Sequence, residues 1–161
     1  KGAERGIVTV VPSSAKVTLG VSSNGNKIGD RDFGVNRIPA PEVTVLSGRK
    51  PVDYRRGVAV RELGGLALRA IPDESFKSAL PKDANFRITK AKVTLGRGGR
   101  AVTSVNVTTE NIGTQLAALA GQARAGDILQ IETIEVKRAN FQSNIENFPN
   151  YSGKFISVEI K

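Results

Sequence analysis

Few side chains in this chain can do chemistry. Its 161 residues include no Cys and no His. That removes zinc sites of ordinary ligands, Ser-His-Asp and Cys-His nucleophiles, and imidazole acid–base catalysis. Carboxylates, Lys, Tyr and hydroxyls remain. Two carboxylate pairs lie close in sequence, Asp73 with Glu74 and Glu132 with Glu135. A glycosidase-like pair needs carboxyls facing each other across a cleft. Adjacent Asp73 and Glu74 fit the start of a short helix better, where negative charge meets the positive helix end. Glu132 and Glu135 stand an odd number of residues apart on an extended segment and are expected on opposite strand faces. No catalytic residue is assigned, no cofactor is expected, and the chain reads as a non-enzyme.

Three further patterns could bind. Asn24-Gly25-Asn26 with Gly29-Asp30-Arg31-Asp32 offers oxygens for Ca²⁺. Its spacing misses the EF-hand, no bidentate Glu follows, and Lys27 and Arg31 offset the charge, so a plain hairpin is favoured and no metal site is assigned. Arg97-Gly98-Gly99-Arg100 resembles an RNA-binding RGG element, but such elements act as disordered repeats with nearby aromatics. A single copy between regular strands reads as a Gly-rich turn with two exposed arginines that blunt a sheet edge. Phe141, Phe148 and Tyr151, in an Asn-rich loop, fit either an exposed partner surface or anchors packed on their own domain. The candidate partner-binding residues are thus Arg97, Arg100, Phe148 and Tyr151. Asn106-Val107-Thr108 and Asn150-Tyr151-Ser152 match glycosylation sequons, which matter only in a eukaryotic secretory pathway.

Composition bounds the partners. The formal charge is +9 and the pI about 10.2, which invites nucleic acid or an acidic surface as partner. The excess is spread thinly, with six basic against four acidic residues up to Glu42 and eighteen against eleven after it. No disulfide can form, and no run approaches the roughly 18 apolar residues of a membrane span. Lys1 stands where an initiator Met is absent, so the chain is expected to be a cut piece with a leader or anchor upstream.

The elements follow from pattern. Hydrophobic residues make up 39% and aromatics 5%, so the core must rest on Val, Ile, Leu and Ala, of which the β-branched residues favour sheets. Ile7 to Val11 reads as a short β-rich run. Lys16 to Ser22 alternates, Asn24-Gly25 turns, and the chain returns through Phe33 to Arg37 as a small meander too thin to hold its own core. Pro39 and Pro41 then form a stiff extended connector, the expected inter-domain joint at Ile38, Pro39 and Pro41. Beyond it, strands are expected at Val43 to Leu46, around Val58 to Arg61, and at Leu66 to Ile71. A capped helical turn follows from Asp73 to Leu80, with Phe76 and Leu80 anchoring inward. Phe86 to Leu95 changes parity near Lys90-Ala91-Lys92, which predicts a bulge or a strand switching sheets. Ala101 to Val107 closes a hairpin, Asn111 to Ala123 is a helix candidate, and Ile128 to Lys137 and Phe155 to Lys161 are strands. A long polar loop spans Arg138 to Gly153. The whole reads as an all-β, immunoglobulin-like β-sandwich with one or two short helical turns at residues 43–161, behind strands of a preceding β-domain at 1–38 and a joint at 39–42.

Two runs carry a family resemblance: Phe33-Gly34-Val35-Asn36-Arg37-Ile38-Pro39-Ala40-Pro41, and Gly126-Asp127-Ile128-Leu129-Gln130-Ile131-Glu132-Thr133-Ile134. In that order the chain resembles the C-terminal periplasmic region of the GldM/PorM family of the type IX secretion system and gliding machinery of Bacteroidetes. Pro72 to Pro81 fits the same pattern, closer to the PorM side. The resemblance implies a non-enzymatic protein anchored in the inner membrane by an N-terminal helix that this sequence lacks. Its periplasmic part would be a homodimer of stacked helical and immunoglobulin-like domains. It implies a GldL/PorL-type membrane partner in a proton-driven motor, PorK/PorN-type ring proteins at the distal end, and no small-molecule substrate. A basic nucleic-acid-binding β-module is the rival reading.

Overall fold

The computed structural model describes residues 7–149, 151 and 154–161, and the chain divides into two compact units, 1–38 and 39–161. In the first, β1 (Lys16–Ser23) and β2 (Asn26–Gly34) form one antiparallel hairpin. Asn24 and Gly25 at its tip both take positive φ, as a primed turn needs. The carboxylates weighed above as Ca²⁺ ligands have other partners: Asp30 pairs with Lys27, and Asp32 with Lys16 at 2.5 Å and Thr18 Oγ1 at 2.7 Å. Residues 7–11, expected as a β-rich run, form no strand. Val8-Val10 alternation alone does not make a strand where no neighbour supplies hydrogen bonds.

The second unit is an all-β sandwich-like fold. One sheet has the order β4 (Lys50–Pro51), β3 (Glu42–Ser47), β5 (Leu66–Ile71). The other runs β10 (Lys154–Glu159), β8 (Ile128–Ala139), β6 (Asn85–Arg97), β7 (Arg100–Thr108), with β9 (Ile145–Asn147) pairing with the far half of β8. Val45 and Leu66 of the smaller sheet share a core with Val93, Leu95, Leu129 and Ile131 of the larger. The helix α2 (Ile112–Ala120) adds Leu116 and Leu119 to that core.

The expected parity change is a bulge inside one strand. Ile88 pairs with Val136, Lys90 with Glu135 and Ala91 with Thr133, so Thr89 on β6 and Ile134 on β8 are each the extra residue. Each strand therefore keeps buried residues on both sides of an odd step, Ile88 then Ala91, and Thr133 then Val136. The same step corrects the expectation for the glutamates. With Thr133 and Val136 both buried, Glu132 and Glu135 turn to the same side, away from them.

Two other expectations change. Val60–Gly65 is a 3-10 helix rather than a strand: Glu62 Oε2 accepts from the Ala59 N–H at 3.1 Å, a local bond that competes with a ladder. The helix α1 (Glu74–Ala79) is capped as predicted, Asp73 accepting from the Phe76 N–H at 2.9 Å, but Leu80 does not anchor inward and is 51% exposed. Its φ of −135° at the helix end carries it out of the helical spacing that aligned it with Phe76.

Candidate functional site

The proline connector belongs physically to the second unit. Pro41 is buried and Glu42 opens β3. The Tyr151 hydroxyl donates to the Pro41 carbonyl at 2.6 Å, a buried bond across 110 residues. Tyr151 is 3% exposed, and that burial, with the Glu42 charge adding to it, raises the pKa of its phenol. Its ring begins an aromatic series: Phe148 edge-on at 6.2 Å, Phe86 a further 5.5 Å on, and Phe76 of α1 at 6.4 Å. Lys154 Nζ lies 5.2 Å from the Tyr151 ring centroid, a cation–π contact. Of the two readings open for these loop aromatics, the geometry shows the packed one for Tyr151, while Phe148 is half-buried. Ile38 and Pro39 are half-buried. In the sequon Asn150-Tyr151-Ser152, Asn150 and Ser152 lie outside the described residues.

The loop that carries them is held by polar groups that sequence reasoning missed. Asn140 Oδ1 accepts from the N–H groups of Gln142 and Asn144, the local closure that Asn favours. Buried Arg138 spans Asp83 at 3.3 Å and Glu146 at 2.6 Å. An Arg at the edge of a polar stretch gives no sign of burial, because its partners lie 55 and 8 residues away.

The two arginines of the Gly-rich turn separate. Gly98 and Gly99 take positive φ of 56° and 77°, the conformation of a type I′ hairpin. Arg97 grips both oxygens of Asp127 at 2.7 Å, and its Nη2 also donates to the Gln122 carbonyl at 3.0 Å. Asp127 is 2% exposed and also accepts from the Arg124 N–H at 2.8 Å. The Arg97 guanidinium, through this bidentate contact above all, brings the Asp127 pKa down to about 2, and the Arg97 pKa is raised in turn. Arg97 is therefore a clamp between the β6–β7 hairpin and the turn that opens β8. Arg100 is exposed and makes no ion pair among the described residues. Arg49, Arg61, Arg69, Arg87 and Lys92 are exposed in the same way, which leaves a broadly basic surface. No helix of the described residues is long and apolar enough to cross a membrane.

No curated protein matches the chain. The model of one protein family, the GldM C-terminal domain, matches residues 39–161, the same residues that form the second unit. The family is a structural part of its secretion system, and this domain is periplasmic in it. The chain belongs to the GldM family, and so to the components of the type IX secretion and gliding machinery.

Proposed function

We propose that residues 39–161 are the terminal sandwich of a rod-like periplasmic coupling protein, which links a motor in the inner membrane to an outer ring by protein contacts alone. The family match over 39–161 carries this reading. The membrane partner would be of GldL/PorL type and the ring of PorK/PorN type, with the anchor helix upstream of this sequence. Residues 1–38 would be strands of a preceding domain, joined at Ile38, Pro39 and Pro41. Of the residues expected at a partner surface, Arg100 is the exposed one, while Arg97 holds the hairpin that presents it and Phe148 and Tyr151 pack with Phe86 and the Pro41 carbonyl. The basic surface favours an acidic partner face, through steering more than through affinity. Nucleic acid as the partner is supported less, since one arginine of the RGGR turn is committed to Asp127. The test is capture of purified ring proteins by the 161-residue chain across a salt series. Capture that weakens with salt, without retention on DNA or RNA, is expected; no capture, or capture indifferent to salt, overturns the reading.

A further inference from the structure

Two of the sheet edges in the second unit differ in kind. The free edge of β7 carries Arg100, Thr103, Ser104 and Asn106, polar residues of the sort that discourage strand addition. The free edge of β5 reads Leu66-Ala67-Leu68-Arg69-Ala70-Ile71, apolar except for one arginine, with no bulge in its pairing. Its backbone polarity can be assigned from neighbouring bonds. Val45 donates its N–H to Tyr54 Oη and accepts at its C=O from Val52 N, so both its groups face away from β5. Thr44 and Leu46 must then face β5, opposite Arg69 and Ala67. The bond from Gly48 N to Gly65 O fits the same alternation. It follows that Leu68 and Ala70 direct their N–H and C=O groups to the unpaired edge, while the Leu66 N–H is taken by the Leu63 carbonyl.

Two recesses border β5. The first is lined by Leu68 with Ile88, Ala91, Val107 and Ile112, and so is largely apolar, with Lys90 at its margin. The second is lined by Arg69 to Pro72 with Phe86, Glu74 and Lys77. Between them their linings take in residues 67–71 of β5, about 17 Å of strand at ~3.3 Å per residue. Of the three cations that line the recesses, Lys77 pairs with Glu74 at 3.7 Å and Lys90 with Glu135 at 3.0 Å, which leaves Arg69 as the one without an ion-pair partner among the described residues.

We infer that the β5 edge is a docking groove for an extended, acidic segment of a partner protein, which adds as a strand to the three-stranded sheet. Its backbone bonds to Leu68 and Ala70, an apolar side chain of about Val size enters the first recess, and a carboxylate meets Arg69. The inference rests on the reading above only in taking the occupant to be protein. Ring capture and peptide docking are measured separately, so either can fail while the other stands.

The probe is a fluorescein-labelled peptide of about seven residues alternating valine with aspartate or glutamate, titrated into the 161-residue chain, with a valine–lysine peptide as its counterpart. The acidic peptide is expected to bind, and to slow amide exchange at Leu68 and Ala70 while leaving Ala67 and Arg69, already bonded to β3, unchanged. Leu68→Pro removes an outward N–H without touching the β3 ladder and should weaken binding about tenfold. Arg69→Glu, at an exposed position in no ion pair among the described residues, should weaken it similarly and favour the lysine peptide. No binding of the acidic peptide at about 1 mM, or binding that both variants leave unchanged, overturns the proposal.

Discussion

The Asp127 carboxylate is held by two guanidinium contacts and one backbone N–H, inside a turn that also donates Gly126 N to Ile160 O at 2.8 Å. Because its folded pKa of about 2 lies below the ordinary 3.8, the stability it contributes is complete above pH 4 and is lost as pH falls toward 2. Asp32, Asp73 and Glu135 are lowered too and add to acid unfolding. The difference between wild type and Asp127→Asn isolates the one group. The variant is expected to melt lower at pH 7 and to fall less between pH 4 and 2; melting curves that stay parallel over that window would remove the clamp from the account. Tyr151→Phe tests the other long-range bond. It leaves the Pro41 carbonyl buried without its donor, and urea denaturation should show a loss of about 1–3 kcal/mol at unchanged m. A loss below about 0.5 kcal/mol would mean that water replaces the hydroxyl.

Among the elements, the loop between β4 and the 3-10 helix closes the sandwich in a way the alternation of Val58 and Val60 did not suggest. Val58 N donates to Glu159 O and Lys161 N to Val58 O, a parallel bridge that latches the chain's last strand. Gly57 makes the approach. Its φ is +70°, and a Cβ there would stand 2.3 Å from the Glu159 carbonyl oxygen. Gly57→Ala should therefore cost roughly 2 kcal/mol or more and speed exchange of the Val58 and Lys161 amides. Gly98→Ala has the same unfavourable φ but open space, and should cost only the conformational part, about 1 kcal/mol. Equal costs would rule out the latch. What could be read from sequence here is what local chemistry dictates: the Asn24-Gly25 and Gly98-Gly99 turns, the Asp73 cap, the alternation of β10 and the odd step between Ile88 and Ala91. What could not be read is which distant parts meet. Arg97 finds Asp127 at 30 residues' separation and Tyr151 finds Pro41 at 110. Such pairings depend on the stacking of sheets, which residue type and spacing do not encode. The candidate binding residues suffered most from this, because exposed and clamped arginines look alike in a Gly-rich turn.

For the molecule as a whole, the two units make opposite demands. The second has a closed core in which Val45, Leu63, Leu95 and Leu116 are fully buried. The first, over its described residues, is a hairpin with Leu19, Val21, Ile28 and Phe33 exposed, Ile28 at 68%. A two-stranded hairpin is marginal in water, and exposed apolar residues on an unpaired ladder favour pairing with further strands. Two consequences can be separated by cutting at the connector. A fragment of residues 39–161 keeps Pro41 and its bond to Tyr151 and the closed core, so it should fold alone and melt within about 2 °C of the longer chain. The 161-residue chain, which retains the hairpin, should be a homodimer at high concentration while the fragment stays monomeric. Light scattering on both, over a concentration series, decides the matter. A fragment that fails to fold would move the unit boundary upstream of Pro39, and a longer chain that remains monomeric throughout would remove the hairpin as a dimer contact. Dimerisation shared equally by both would relocate the contact to the sandwich itself, where the unprotected β5 edge is the first place to look.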